Sequence, residues 1–180
     1  MKKTKIAFLM LLGGVFFSTF VFAEADLKGL RIGMNKEELN AAHPGLNCGD
    51  ICYYSDSLQS RHAKTLETLA GAQVEMWRFN FSADNKLVSG YAKLGASSGP
   101  IVTSALVEQL GKPTTEETEE FRTAAGYRGP KKTTSWVDGD TVITVAYPSG
   151  RITDMSVEIY SKIQRDAEME ASKAKSKKDL

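Results

Sequence analysis

Alternation of apolar and polar residues, broken by turn-forming residues, restricts the fold of this chain most strongly. Trp77, Phe79 and Phe81 fall on one face of an extended strand, and a second alternating run follows from 87 to 94. The polar segment 82–86 between the two runs contains an Asp-Asn pair, which favours a turn. Because strict alternation is typical of a half-buried strand, the stretch predicts a β-hairpin.

Three more strand candidates lie near the carboxyl end of the chain. Lys132–Val137 leads through Asp-Gly into Thr141–Tyr147, which leads through Pro-Ser-Gly into Arg151–Tyr160. Strands joined by such short turns pair antiparallel, so the three predict a meander. The acidic, threonine-rich segment Thr114–Glu120 is interpreted as a connection that precedes them.

Two short helices accompany these strands. Asn35 is a good N-cap and Glu38 stands where a capping box needs it, which predicts a helix at about 35–43. A second helix is predicted over Ile101–Leu110 and ends at the following glycine. Its apolar stripe consists of Val102, Leu106 and Leu110, together with Ala105 and Ile101.

The order of these elements predicts an α+β fold, in which short helices pack on an antiparallel sheet. We expect a single domain over 24–160, with two tandem units of a helix and a hairpin or meander at 27–95 and 100–160. The segment Leu58–Leu69 is interpreted as a further helix or an irregular stretch. The charged end, 161–180, is expected to be a flexible or helical tail, since it has good helix formers but little apolar stripe.

Residues 1–23 are typical of a secretory signal peptide. Lys2, Lys3 and Lys5 precede an uncharged apolar run, and Ala23 provides a small residue at the cleavage position. The alternative is a leader retained as a membrane anchor, since the run is close to spanning length. Cleavage is favoured, which predicts a periplasmic or secreted protein with no membrane span after the signal is removed.

The charge balance argues against a nucleic-acid partner. The chain has 23 Lys and Arg against 22 Asp and Glu, and removal of three leader lysines leaves 20 against 22, or −2. Proteins that bind nucleic acid depend on clustered lysine and arginine side chains to displace counterions, and this chain has no excess of positive charge.

Cys48 and Cys52 are the only cysteines. An even count in an oxidising compartment predicts a disulfide between them. The alternative is a metal site, because His43 and His62 lie close enough in sequence to complete a set of zinc ligands. These spacings match no standard zinc finger, so no metal or other cofactor is expected. His43, which precedes a proline at a helix end, is interpreted as a charge complement to that terminus.

No catalytic signature is present. The chain lacks a Gly-x-Ser-x-Gly elbow, a phosphate-binding loop and a His-Glu-x-x-His motif, so we expect a protein that is not an enzyme. Trp77 and Trp136 are interpreted as core anchors. Tyr53 and Tyr54 are the candidates for an interaction surface, because adjacent aromatic residues in a pinned loop do not easily face one core.

The segment Gly29–Leu39, with its Gly-Met step into a helix, resembles small outer-membrane assembly lipoproteins of the SmpA/OmlA kind and β-lactamase-inhibitor-like proteins. The segment Ala105–Pro113, followed by Trp136 and a meander, is similar to small secreted proteobacterial proteins of unestablished function. The resemblance implies an extracytoplasmic binding module with helices on an antiparallel sheet. This chain departs from the lipoproteins because no cysteine follows its leader, and no inhibitor-type loop matches, so no functional residue is carried over.

These observations together predict an exported, non-enzymatic binding protein. Its partner is expected to be a protein or a component of the cell envelope, bound through the sheet face or the Cys48–Cys52 loop. One alternative is an inhibitor of an envelope or extracellular hydrolase. Another is a metal-binding protein or enzyme that uses His43, His62 and the cysteines.

Overall fold

The computed structural model of the protein describes residues 25–44, 46–48, 52–55 and 68–178. The predicted signal peptide, His62 and nearly all of the predicted segment Leu58–Leu69 lie outside these residues. In chain order the elements are α1 (Lys36–Ala42), β1 (Asn47–Cys48), β2 (Cys52–Ser55), β3 (Thr68–Leu69), β4 (Ala72–Phe81), β5 (Leu87–Gly95), a 3-10 turn (Ala96–Ser98), α2 (Gly99–Leu110), β6 (Thr115–Arg122), β7 (Arg128–Asp138), β8 (Thr141–Tyr147), β9 (Asp154–Ser161) and α3 (Lys162–Lys178).

The strands form one curled antiparallel sheet. Its order is β1-β2-β4-β5-β9-β8-β7-β6, and β3 pairs with β4 beside this path. The predicted hairpin β4–β5 and the meander β7–β8–β9 are both confirmed. They meet where β5 pairs with β9, so two segments that are distant in sequence form adjacent strands at the centre of the sheet.

The hydrophobic core lies against one face of the sheet. Trp77 and Phe79 stack there with ring centroids 5.6 Å apart and planes within 10° of parallel. Gly90 pairs with Phe79, and a Cβ at Gly90 would lie 3.2 Å from the Phe79 ring and 3.1 Å from Ile159. The glycine therefore makes room for the aromatic ring. Full burial of each such side chain contributes about 1.5–3 kcal/mol.

Helices α1 and α2 cover this core face. The capping box of α1 is confirmed: Asn35 accepts from the Glu38 amide at 2.8 Å, and Glu38 accepts from the Asn35 amide at 2.8 Å. Leu39 is the buried residue of α1, while α2 contributes Val102 and Leu106. Trp136 is also buried, and its indole N–H donates to the carbonyl of residue 111, at the end of α2, at 2.9 Å. Both predicted tryptophan anchors are therefore core residues.

Two details of the prediction are wrong. The segment interpreted as an acidic connection is strand β6, which pairs with β7 along its whole length. Ile101 is 61% exposed, because the buried stripe of α2 is centred on Val102 and Leu106.

The fold is therefore α+β, with short helices on an antiparallel sheet as predicted, and strands account for more of the described chain than helices do. No helix among the described residues is both long and apolar enough to cross a membrane.

Candidate functional site on the polar face of the sheet

The sheet face opposite the core carries polar and aromatic side chains. Residues that pair across antiparallel strands direct their side chains to the same face, whereas successive residues of one strand point to opposite faces. Trp77, Phe79 and Ile159 point to the core, so the residues next to them in sequence point to the opposite face of the sheet. We call this other side the polar face; its central members are Arg78, Tyr91, Lys93, Asp154, Glu158 and Tyr160.

One row of paired residues crosses the polar face from β4 to β7. It runs Arg78, Tyr91, Glu158, Thr144 and Ser135, each paired with the next. The Arg78 guanidinium lies 5.7 Å from the centre of the Tyr91 ring, a cation–π distance. At the other end the Ser135 and Thr144 hydroxyls are 3.0 Å apart and share a hydrogen bond. This row contains no aliphatic residue, and it lies on the sheet face opposite the hydrophobic core.

Lys93 lies between two carboxylates on the same face. Its ammonium is 2.8 Å from Glu75 and 3.2 Å from Asp154. The hydrogen bond to Glu75, followed by that to Asp154, raises the pKa of Lys93 above its ordinary value. Lys93 therefore remains charged near neutral pH and holds the ends of β4, β5 and β9 in a fixed electrostatic pattern.

Helix α3 begins at the edge of the polar face and adds a second cation. The Arg165 guanidinium lies 3.3 Å from the centre of the Tyr160 ring, and it also pairs with Glu158 at 2.9 Å. Stacking and ion pairing together hold the planar guanidinium flat against the sheet. The charged first turn of α3 thus forms part of the same surface as the central strands.

The titration behaviour of this face suits binding. Burial, followed by the charge of Glu158, raises the pKa of Tyr91 above its ordinary value. Tyr91 therefore keeps its proton, as Lys93 does, and neither side chain acts as a base near neutral pH. Arginine and tyrosine side chains are enriched among the residues that contribute most to binding at protein interfaces, because they combine large contact area with directional hydrogen bonds. What the arrangement provides is a preorganised surface of hydrogen-bond donors and acceptors.

The predicted disulfide is present, between Cys48 and Cys52. The two residues are partners across the short β1–β2 pair, with Cα atoms 4.0 Å apart. Strand β2 in turn pairs with β4, so the disulfide lies at one edge of the sheet. The backbones of Tyr53 and Tyr54 pair with Arg78 and Trp77. The side chains of both tyrosines lie outside the described residues, and their role as interaction residues stays a prediction.

The histidine interpretation changes with the structure. His43 caps α1 but is only 3% exposed. Burial, followed by the nearby charge of Lys28, lowers the pKa of His43 below its ordinary value, although Asp26 acts in the opposite direction. A neutral His43 does not complement the charge of the helix terminus, so that interpretation is wrong at neutral pH. The sulfurs of the metal-site alternative are bonded to each other, and within the described ranges no group of three or more His, Cys, Asp or Glu is arranged to hold a metal.

A cavity of about 320 Å³ lies on the core side, beside the end of α2. Lys112, Trp136 and Asp138 line it, and the amide of Ala25 donates to the Asp138 carboxylate at 3.0 Å. Gln109 donates to the carbonyl of Asp26 at 2.9 Å, so the start of the described chain is fastened along one wall. Asp138 therefore anchors this segment in addition to its place at the end of β7.

Sequence reasoning did not identify the polar face. Lys93 belongs to β5, whereas Glu158 and Arg165 belong to the segment that forms β9 and α3, and only the pairing of β5 with β9 brings these two segments together. One signal was available, because strands with apolar residues on one side carried charged and aromatic residues at the alternate positions. No protein-family model, no curated protein and no solved structure significantly matches this chain.

Proposed function

We propose that the protein is an exported, non-enzymatic binding module that holds a protein or another component of the cell envelope on its polar face. The observation that carries the proposal is the row from Arg78 through Tyr91 to Glu158, which presents fixed charge and aromatic surface on the side of the sheet away from the core. The leader-like residues 1–23 and the disulfide support a periplasmic or secreted location.

The chemistry of the face supports binding over catalysis. The cationic side chains of the face are already paired with carboxylates or stacked on aromatic rings. Their positions are therefore fixed before a ligand arrives, and binding costs little free energy for ordering these side chains. Such a surface discriminates between partners by charge complementarity and by the planar stacking of Arg78 and Arg165. An inhibitor of an envelope hydrolase is a special case of this function, and a panel of such enzymes tests it directly.

The test is capture from envelope extract with the mature protein and two charge-reversal variants. Arg78→Glu changes an exposed residue of the polar face, whereas Glu108→Lys changes an exposed residue of α2 in the opposite layer. We expect Arg78→Glu to weaken capture of the partner at least ~10-fold, the loss typical of an interface hot spot, and Glu108→Lys to leave capture unchanged.

Two results would contradict the proposal. If Arg78→Glu captured the same partner as strongly as the unaltered protein, the binding surface would lie elsewhere. If no partner were captured and native mass measurement showed an isolated monomer, the binding function itself would be wrong. Folding of both variants is checked by thermal unfolding, so that a lost partner is not mistaken for a lost fold.

We also infer that the chain comprises two tandem units. In support, α1 precedes β4 and β5 in the first half, and α2 precedes the strands β6 to β9 in the second. The polar face extends over both halves because β5 and β9 are paired, so under this proposal binding depends on the two units together.

A further inference from the structure

Strand β6 is the last strand on its side of the sheet, within the part of the chain that the structure describes. It runs for eight residues, seven of which are exposed, while Phe121 is half-buried. Its pairing with β7 is continuous and has no bulge, so its outer edge is an uninterrupted row of backbone N–H and C=O groups. Such an edge is a template for another strand unless something prevents pairing.

The side chains of β6 determine which strand can pair there. Its first six residues include Glu116, Glu117, Glu119 and Glu120, and alternation places two of these glutamates on each face. Glu119 pairs with Lys131 at 2.7 Å, and Glu120 pairs with Arg122 at 2.8 Å. Among the described residues no ion pair compensates Glu116 or Glu117. The amino-terminal half of the edge therefore presents free negative charge on both sides.

This charge disfavours pairing of β6 with β6 of a second copy of the chain. Antiparallel pairing of β6 with itself, centred on Thr118, would place Glu117 opposite Glu119 and Glu116 opposite Glu120. Like charges directly opposite each other destabilise a pair of strands. A strand with lysine or arginine residues is instead stabilised, because its cationic side chains can pair with the glutamates of β6 when the two strands hydrogen-bond.

We propose that the β6 edge binds an extended, lysine- or arginine-rich segment of a partner protein by strand addition. The partner strand hydrogen-bonds to the outer-edge N–H and C=O groups of β6, and its lysine or arginine side chains pair with Glu116 and Glu117. This surface is distinct from the polar face, since it lies at the sheet edge beyond β7. Binding at β6 and binding at the polar face are therefore separable by mutation.

The probe is a fluorescent eight-residue peptide of sequence Lys-Lys-Thr-Thr-Lys-Lys-Thr-Thr with blocked ends, which places lysines on both faces of a strand and is called the Lys-Thr peptide. Its matched control has proline at every Thr position, which keeps the charge but removes backbone N–H groups from both edges of the strand. We expect the Lys-Thr peptide to bind at least ~10-fold more tightly than the proline peptide, and to slow hydrogen exchange of β6 amides. Equal binding of the two peptides, or unchanged exchange in β6, would overturn the proposal.

Charge-reversal variants of the protein provide a second test of the same proposal. Glu116→Lys with Glu117→Lys should weaken binding of the Lys-Thr peptide at least ~10-fold. The matched variant Glu168→Lys with Glu170→Lys makes the same change in net charge on exposed positions of α3 and should leave affinity within about twofold. Equal weakening by both double variants would show attraction to net charge alone and would refute strand addition. Capture by the Arg78→Glu variant is measured in parallel, because a failure of the polar face leaves the peptide result unaffected.

Discussion

The Asp140 carboxylate, in the turn between β7 and β8, accepts a hydrogen bond from the Ser161 hydroxyl at 2.6 Å, where β9 passes into α3. The same carboxylate accepts from the Ile163 amide at 2.7 Å, and the Asp140 carbonyl accepts from the Lys162 amide at 2.8 Å. One turn residue therefore satisfies two of the amides that the first turn of a helix leaves without intrahelical partners. The position of α3, and with it that of Arg165 on the polar face, depends on Asp140.

Replacement of Asp140 by Ala should loosen the start of α3. Loss of a capping carboxylate typically costs about 1 kcal/mol, and we expect that decrease in the free energy of unfolding by urea. Hydrogen exchange of the amides of 163–166 should accelerate as well. Asp166→Ala is the matched control, because it removes an exposed acid from the same helix without removing the cap. Equal effects of the two variants would show that Asp140 has no special role.

Replacement of Gly99 by Ala should destabilise the protein although Ala is the better helix former. Gly99 is buried in the first turn of α2, and a Cβ there would lie 2.5 Å from the Tyr147 ring. Overpacking of this kind costs about 1–3 kcal/mol, which exceeds the gain in helix propensity of about 1 kcal/mol. Ser104→Ala, at an exposed position of the same helix, should be neutral or slightly stabilising.

The double variant Gly99→Ala with Tyr147→Ala identifies the cause. If the Tyr147 ring is the obstacle, the two substitutions together should cost less than the sum of their separate costs in the free energy of unfolding. Additive costs would mean that the ring moves aside and that the loss at Gly99 has another origin.

Reduction of the Cys48–Cys52 bond should lower stability only modestly. In the chain-entropy model a ring of about five residues contributes about 2 kcal/mol, because so short a loop restricts the unfolded chain little. Urea unfolding with and without a reductant measures the difference. Thiol titration of unfolded protein purified from the periplasm should find no free thiol. Two free thiols with one equivalent of zinc would instead favour the metal-site alternative.

Stability should fall as the solution becomes acidic, through His43. Burial holds the pKa of His43 below its unfolded value of about 6.5, so below that pH the unfolded chain binds a proton that the folded protein does not. The stabilising contribution is complete above pH ~6.5 and is lost as the pH falls toward the folded pKa, by at most about 1.4 kcal/mol per pH unit. Urea unfolding at about pH 7.5 and 5.5 measures this slope.

The variant His43→Gln should reduce that slope, and His62→Gln serves as the matched histidine control. Other groups titrate in both variants, so the difference between the slopes isolates His43. If the pH dependence of stability persisted in His43→Gln and disappeared in His62→Gln, His62 would be its source and the prediction for His43 would be wrong.

Local signals in the sequence predicted the local structure well. The capping box at Asn35 and Glu38, the strand alternation around Trp77 and the turn residues of the meander each act over a few residues, and each is present as predicted. Strand β6 was missed because its glutamates and threonines have no apolar alternation. A strand whose side chains are nearly all exposed gives no hydrophobic signal, and only its pairing with β7 reveals it.

The candidate site was harder to predict, because it depends on pairing between distant segments. Nothing near Tyr91 in sequence indicates that Glu158 is its neighbour, since β5 could have met any of several strands. The charge of His43 was mispredicted for a related reason: its position at a helix end was visible, but its burial depends on how the preceding segment packs.

The pairing of β5 with β9 also constrains when the molecule can form. A ribosome or a translocation channel releases the amino-terminal part of a chain first, so β4 and β5 emerge long before residues 154–161. Until then the inner edge of β5 has no native partner and the core around Trp77 stays open on one side. Completion of the central sheet must therefore wait until β9 has been released, so the two paired strands at its centre form their contacts late in synthesis.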